Sequence, residues 1–123
     1  MSWWKKAQLE NFNDRNRINA IAHRLKEFAE SLDYAKKLIF QTGRGARAMV
    51  SQITDHETLS SFPTIRDLLK EADKTALDNP HKFADFCQEA AVLMKAEVED
   101  IELQRHHFLA GDEGKPRKGL VDE

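Results

Sequence analysis

The sequence contains one cysteine, Cys87, and no apolar run of the length that a membrane-spanning helix requires, about 20 residues. A single cysteine cannot form an internal disulfide, which fits a reducing compartment. The chain opens with Met-Ser-Trp-Trp-Lys-Lys, which lacks the apolar segment and the small-residue cleavage site of a signal peptide. We therefore expect a soluble, cytoplasmic protein without a membrane partner.

Motifs of catalysis and metal binding are also missing. The chain has no Gly-x-Ser-x-Gly, no phosphate-binding loop and no Gly-x-Gly-x-x-Gly. No Glu is followed three residues later by a His, as the di-iron helical bundles require. The nearest pairs, His23 with Glu27 and Glu102 with His106, have the spacing of ordinary helical salt bridges. Cys87 falls on an apolar stripe, where a thiol is usually inert. We predict a protein that is not an enzyme and has no metal and no cofactor.

Glycine and proline are absent from the longest regular stretch of the chain, residues 18–39. Its apolar residues recur at alternating gaps of three and four, which places them on one stripe of an α-helix that packs along another helix. Ala, Leu, Lys and Glu, which favour helices, fill most of the other positions. The stripe consists of Ile18, Ile21, Leu25, Phe28, Leu32, Ala35 and Ile39. We expect this helix to organise the fold.

Shorter helical patterns follow, separated by turn residues. Gly43 is predicted to end the first helix in the left-handed C-cap conformation. A second helix is predicted over about Ala46–Leu59. A third begins near Thr64, whose partner Asp67 gives a helix-start signal. The fourth runs over about Pro80–Leu109, after the stop and restart signal of Asp-Asn-Pro.

No alternating strand pattern and no internal repeat is present. The sequence therefore predicts an all-α fold, a four- to five-helix bundle with long first and last helices. A chain of 123 residues is the usual size of one domain. We expect residues 1–110 to form that domain, and residues 111–123, which are polar and rich in Gly, to form a flexible tail.

Charge is unevenly distributed along the chain, whose net charge is −2. Residues 1–47 carry ten Lys/Arg and five Asp/Glu, whereas residues 48–114 carry six Lys/Arg and fourteen Asp/Glu. This asymmetry suggests an acidic partner for the front half or head-to-tail stacking of copies. Chance variation among solvated faces is the alternative.

Five basic residues form the candidate nucleic-acid site. Arg15, Lys26 and Lys37 are spaced by eleven, close to three helical turns, so they are predicted to lie in one row that faces away from the apolar stripe. Arg44 and Arg47 continue this row where the second helix begins, and the positive helix end there also favours phosphate. Regularly placed cations of this kind suit a polynucleotide backbone.

Two alternatives remain open at this point. Glu30 and Asp33 belong to the same face and weaken its field, so the row could simply be a solvated surface. Trp3 and Trp4 either cover the end of the core or form a docking patch for a partner. In the second case the protein would be a small helical oligomeric interaction or scaffold protein, for example a phage-encoded one, that works without nucleic acid.

Two segments carry a resemblance to a known family. The first is Leu38-Ile39-Phe40-Gln41-Thr42-Gly43 with Arg44 and Arg47 after it, and the second is Phe83 with Phe86-Cys87-Gln88-Glu89-Ala90-Ala91 and then Lys95. Together they resemble the small helical subunits of type III CRISPR effector complexes, which act in antiviral defence. The resemblance implies a non-catalytic protein that stacks in several copies inside a ribonucleoprotein. It also implies other protein subunits as partners and contact of the basic residues with the guide–target RNA backbone.

Overall fold

A computed structural model describes the backbone of residues 12–111 and the side chains of residues 16–104. These residues form four α-helices and one short 3₁₀ helix, and no strand occurs among them. The helices are α1 (Phe12–Leu38), α2 (Gly43–Thr54), the 3₁₀ helix (Glu57–Ser61), α3 (Pro63–Thr75) and α4 (Pro80–Gly111). The prediction of an all-α bundle with long first and last helices is confirmed. None of the described helices is long and apolar enough to cross a membrane.

The two long helices form the main contact of the bundle. They have 27 and 32 residues, so α1 is about 40 Å and α4 about 48 Å long. α1 packs most extensively against α4, while α3 packs against α4 and α2 against α1. Because short connections join the helices, the end of α1, the start of α2, the end of α3 and the start of α4 lie at the same end of the bundle.

One hydrophobic core runs between the helices, and it contains most of the predicted stripe of α1. Of the stripe, only Ile21 is half-buried rather than buried, because it borders a shallow groove beside the 3₁₀ helix. The other helices contribute one apolar face each to this core. The largest fully buried ones include Leu25, Leu32, Val50, Leu69, Phe83, Cys87, Met94 and Ile101. The periodicity therefore identifies the core correctly.

The turn between α1 and α2 differs from the prediction. Gly43 is the first residue of α2, and its backbone is not left-handed, so the predicted glycine C-cap is wrong. Thr42 instead occupies the N-cap position of α2, with an extended backbone (φ −147°, ψ 105°). Its Oγ1 accepts a hydrogen bond from the Gly45 N–H at 3.2 Å. The Thr42 N–H in turn donates to the Leu38 carbonyl at 2.8 Å, which ties the two helices together.

The second helix is shorter than predicted. α2 ends at Thr54 rather than near Leu59, and the chain continues as the 3₁₀ helix. His56 precedes this helix, and its Nδ1 accepts a hydrogen bond from the Thr58 N–H at 3.1 Å. Leu59 is still fully buried. An apolar residue at the expected spacing therefore reaches the core through a tighter helix, which periodicity alone does not distinguish from an α-helix.

The starts of α3 and α4 test the two remaining boundary predictions. α3 begins at Pro63, one residue before the predicted start near Thr64; Phe62 occupies the cap position, and no side chain caps the helix. Proline suits that first position because its missing N–H would be unpaired there anyway. At the start of α4 the Asn-Pro signal is confirmed, since Asn79 Oδ1 accepts a hydrogen bond from the Lys82 N–H at 3.1 Å.

Several predictions concern parts of the chain outside the described residues. The pair Trp3 and Trp4 and residues 112–123 lie outside the described backbone, and the Arg15 side chain lies outside the described side chains. The division into a domain and a tail and the docking role of the tryptophans stay predictions.

Cys87 is fully buried in the middle of the core, as its place on the stripe predicts. Burial raises the pKa of its thiol to about 12, and the nearby positive charge of Lys36 offsets only part of this effect. The thiol therefore remains protonated at neutral pH, which makes it a poor nucleophile.

We predict that Cys87→Ala lowers the free energy of unfolding by about 1 kcal/mol at neutral pH, the usual order for a small core truncation. This difference should narrow as the pH rises above about 9, because the thiol ionises in the unfolded chain but not in the folded one, which destabilises the wild-type protein alone. Urea unfolding of the wild-type protein and of Cys87→Ala, at neutral pH and at about pH 10, measures the difference in the free energy of unfolding. A difference that stays constant or grows would contradict the burial of the thiol.

Candidate nucleic-acid interface

The middle of the predicted basic row lies beside α4. Lys26 is exposed, but its Nζ is 2.8 Å from Oε2 of Glu102 on α4. Two turns further along α1, a carboxylate oxygen of Asp33 is 3.2 Å from Nζ of Lys95 on α4, and the other is 3.8 Å from Nζ of Lys36. The expectation that the row faces away from the apolar stripe is therefore wrong at Lys26, which lies on the flank of α1 next to α4. Its charge is partly neutralised there.

Arg47 lies on a different flank, between α2 and α3. Its Nε donates to Oδ1 of Asp73 at 3.0 Å, and a second nitrogen is 3.5 Å from Oδ2. This hydrogen bond and the charge of Asp73 hold the pKa of Arg47 above its usual value. Arg44 and Leu77 line the same shallow concave surface. Arg47 is thus a contact between helices as well as a surface cation.

Among the described members of the row, Lys37 and Arg44 are those whose charge is least compensated. Both side chains are exposed, and neither has an ion-pair partner within residues 16–104. Lys37 lies in the last turn of α1 and Arg44 in the first turn of α2. The structure therefore brings Lys37, Arg44 and Arg47 to one end of the bundle, whereas Lys26 lies about 16 Å before Lys37 along α1. This distance is the predicted spacing of eleven residues, but Arg47 lies on another flank, between α2 and α3, where it pairs with Asp73.

The end of the bundle that holds these residues is positively charged; we call it the basic end and define it as residues 36–47 and 73–82. Residues 36–47 carry four Lys/Arg and no Asp/Glu, and residues 73–82 carry two of each. The net charge is positive there although that of the whole chain is −2. An anion approaching this end is therefore attracted, while most of α4 repels it.

Exposed rings and apolar side chains accompany the cations of the basic end. The rings of Phe40 and His81 are 4.9 Å apart between centroids and tilted by 54°. Leu77 lies beside the start of α2, where a Cβ on Gly43 would be 3.8 Å from its Cδ2. Phe40 is 53% exposed and Leu77 71% exposed. None of these residues was predicted as a site residue, although Phe40 follows Ile39 directly and therefore does not belong to the apolar stripe.

The uneven distribution of charge along the chain is partly resolved within the fold. Lys26 pairs with Glu102 and Arg47 with Asp73, so each pair joins the basic front of the chain to its acidic rear. An external acidic partner is therefore not needed to explain these four charges. Within residues 16–104, Lys37 and Arg44, on either side of the α1–α2 turn, have no such partner.

Metal ligands and family relationships add no further site. Within the described side chains, no group of three His, Cys, Asp or Glu residues could hold a metal ion. His23 and Glu27 form an exposed pair at 3.3 Å on the surface of α1. Half of the residues in the second segment of the CRISPR-subunit resemblance belong to the core, namely Phe83, Cys87, Ala90 and Ala91. No protein-family model, no curated protein and no solved structure matches the chain.

Proposed function

We propose that this protein is a non-catalytic, RNA-binding subunit of a cytoplasmic ribonucleoprotein and that it contacts the sugar–phosphate backbone through its basic end. The observation that carries this proposal is the pair of exposed cations, Lys37 and Arg44, which have no ion-pair partner among the described residues. They belong to a segment, residues 36–47, that contains no acidic residue. The resemblance of residues 38–47 to the α1–α2 junction of type III CRISPR small subunits supports the same surface.

The absence of a partner matters because an ion pair inside the protein competes with an external phosphate. Lys26 and Arg47 must weaken their contacts with Glu102 and Asp73 before they bind a phosphate. Lys37 and Arg44 keep their charge available, and backbone N–H groups at the start of α2 add donors close to Arg44. The proposed site is therefore smaller than the predicted row and centred on the α1–α2 turn.

So few cations per chain imply weak binding by one copy. Several copies along one strand would add their contacts, since each further contact becomes intramolecular once the first copy is bound. This requirement agrees with the stacking of copies, and the assembly with other subunits, that the resemblance implies. The proposed protein therefore acts as a repeated backbone-binding unit without base specificity.

One observation favours the second candidate, an oligomeric interaction or scaffold protein without nucleic acid. Val92 and Leu103 are 51% and 60% exposed, and with Ala96 they share the face of α4 opposite to its buried stripe. Apolar side chains on an outer face suit a protein contact. In this case substitution of the basic residues would leave the function intact.

We predict that Arg44→Ala weakens binding to unrelated single-stranded RNA sequences alike, by about fivefold at about 0.1 M salt, because one phosphate contact is lost and no base is recognised. The slope of log affinity against log salt should become less steep by about 0.7. Arg24→Ala is the matched control, because it removes the same charge about 20 Å before Lys37 along α1. Fluorescence anisotropy with labelled oligonucleotides measures both variants.

The outcome distinguishes the two candidates. If Arg24→Ala and Arg44→Ala bind RNA with wild-type affinity and salt slope, Arg44 does not belong to the binding site. If charge reversal of Lys37 together with Arg44 also changes nothing, or if the wild-type protein binds no RNA at all, backbone binding through the basic end is wrong. The interaction-protein candidate then replaces it.

Removal of the acidic partner of Arg47 should have the opposite effect. We predict that Asp73→Ala tightens RNA binding by about fivefold at about 0.1 M salt and makes the salt slope steeper by about 0.7, because Arg47 becomes available for a phosphate. Asp67→Ala is the control, since it changes the net charge equally from an exposed position near the other end of α3. Equal affinities of the two variants would show that Arg47 lies outside the contact.

A further inference from the structure

Phe40 is exposed for a structural reason that bears on its role. It lies in the turn after α1, where its N–H donates to the Lys37 carbonyl at 3.2 Å. Its ring contacts His81 in the first turn of α4, yet more than half of the residue remains open to solvent. The contact with His81 limits the orientations of the ring. Exposure of a large aromatic side chain held in this way costs free energy unless a partner covers it.

The charges around Phe40 identify the chemistry of that partner. Lys37 precedes Phe40 by one helical turn, Arg44 follows at the start of α2, and Lys82 is next to His81. The acidic residues of the basic end are Asp73 and Asp78, and Asp85 follows just beyond it in α4. Asp73 is paired with Arg47, so the cations outnumber the uncompensated carboxylates on the α1–α2 side. The surface therefore fits a partner that is anionic and also presents flat apolar faces.

We propose that the basic end binds single-stranded nucleic acid, with one base stacked on the Phe40 ring and the adjoining phosphates at Lys37 and Arg44. This inference rests on the proposed backbone binding and extends it to the form of the strand. Single strands expose base faces that can stack on aromatic side chains, whereas a duplex keeps its bases inside the stack. Because every base has such a face, stacking on Phe40 does not require recognition of a particular sequence.

The test separates base stacking from phosphate contact with two probes. The first is a short oligoadenylate, and the second is a strand of the same length that has the sugar–phosphate backbone but no bases. NMR titration of the full-length protein, at concentrations up to the millimolar range, detects weak binding of either probe. Phe40→Leu keeps an apolar side chain but removes the aromatic ring. Two variants serve as controls: Phe40→Trp keeps an aromatic ring at this position, and Tyr34→Leu removes another exposed aromatic ring, from α1.

We expect Phe40→Leu to weaken oligoadenylate binding by about 5- to 150-fold, as removal of a base–aromatic stack does, and to leave the abasic strand unaffected. Phe40→Trp and Tyr34→Leu should bind both probes as the wild-type protein does. The wild-type protein should also bind oligoadenylate more tightly than it binds the abasic strand or a duplex of the same length.

Three other outcomes would overturn the inference in different ways. If both probes bind and Phe40→Leu affects neither, or affects both equally, stacking is wrong and backbone binding stands. If no strand binds the wild-type protein, the proposed function fails as well. If no strand binds but the protein self-associates and Phe40→Leu abolishes the association, the exposed ring belongs to a contact between copies.

Discussion

The packing of α1 against α4 is the constraint on which the rest of the structure depends. Both helices are longer than the two between them, and their apolar stripes supply most of the core. Shortening of one buried leucine to alanine in such a core costs about 2–5 kcal/mol. Exposed ion pairs such as Lys26–Glu102 add little to stability by comparison. The apolar residues therefore stabilise the contact between α1 and α4. The main effect of the ion pairs is to determine which cations remain available to bind an external anion.

The functional proposal depends on which Lys and Arg side chains have no carboxylate partner. Within residues 16–104, six Lys and Arg side chains form ion pairs with carboxylates, namely Arg24, Lys26, Lys36, Arg47, Lys74 and Lys95. The four-residue turn between α1 and α2 is different, because the chain on both sides of it is basic and Thr42, rather than an acidic residue, caps α2. Arg44 is exposed in the first turn of α2, at the same end of the bundle as Phe40 and His81. The rings of Phe40 and His81 meet because α1 ends where α4 begins. Charge, aromatic surface and helix packing thus converge at one place.

The sequence predicts the helices and the core well because both depend on local periodicity. It predicts the site less well because the compensation of a charge depends on residues far away in the chain: nothing near Lys26 indicates that Glu102 will contact it. The error at Gly43 has a local cause: Thr42 and Gly43 are neighbouring residues that could each lie at a helix end, and the residue types alone do not show that Thr42 caps α2. Periodicity also does not separate α2 from the 3₁₀ helix that follows it, since both bury an apolar side chain at similar spacing.

The central claim is that the basic end is where nucleic acid binds. Amide chemical shifts of the isotope-labelled, full-length protein, followed during titration with single-stranded RNA, test it most directly because they map the contact without any substitution. We predict that the shifts that change are those of residues 37–46 and 77–82, at the two turns of the basic end. Chemical-shift changes confined to the outer face of α4 around Val92 and Leu103, or no shift changes at the highest RNA concentration, would contradict the claim.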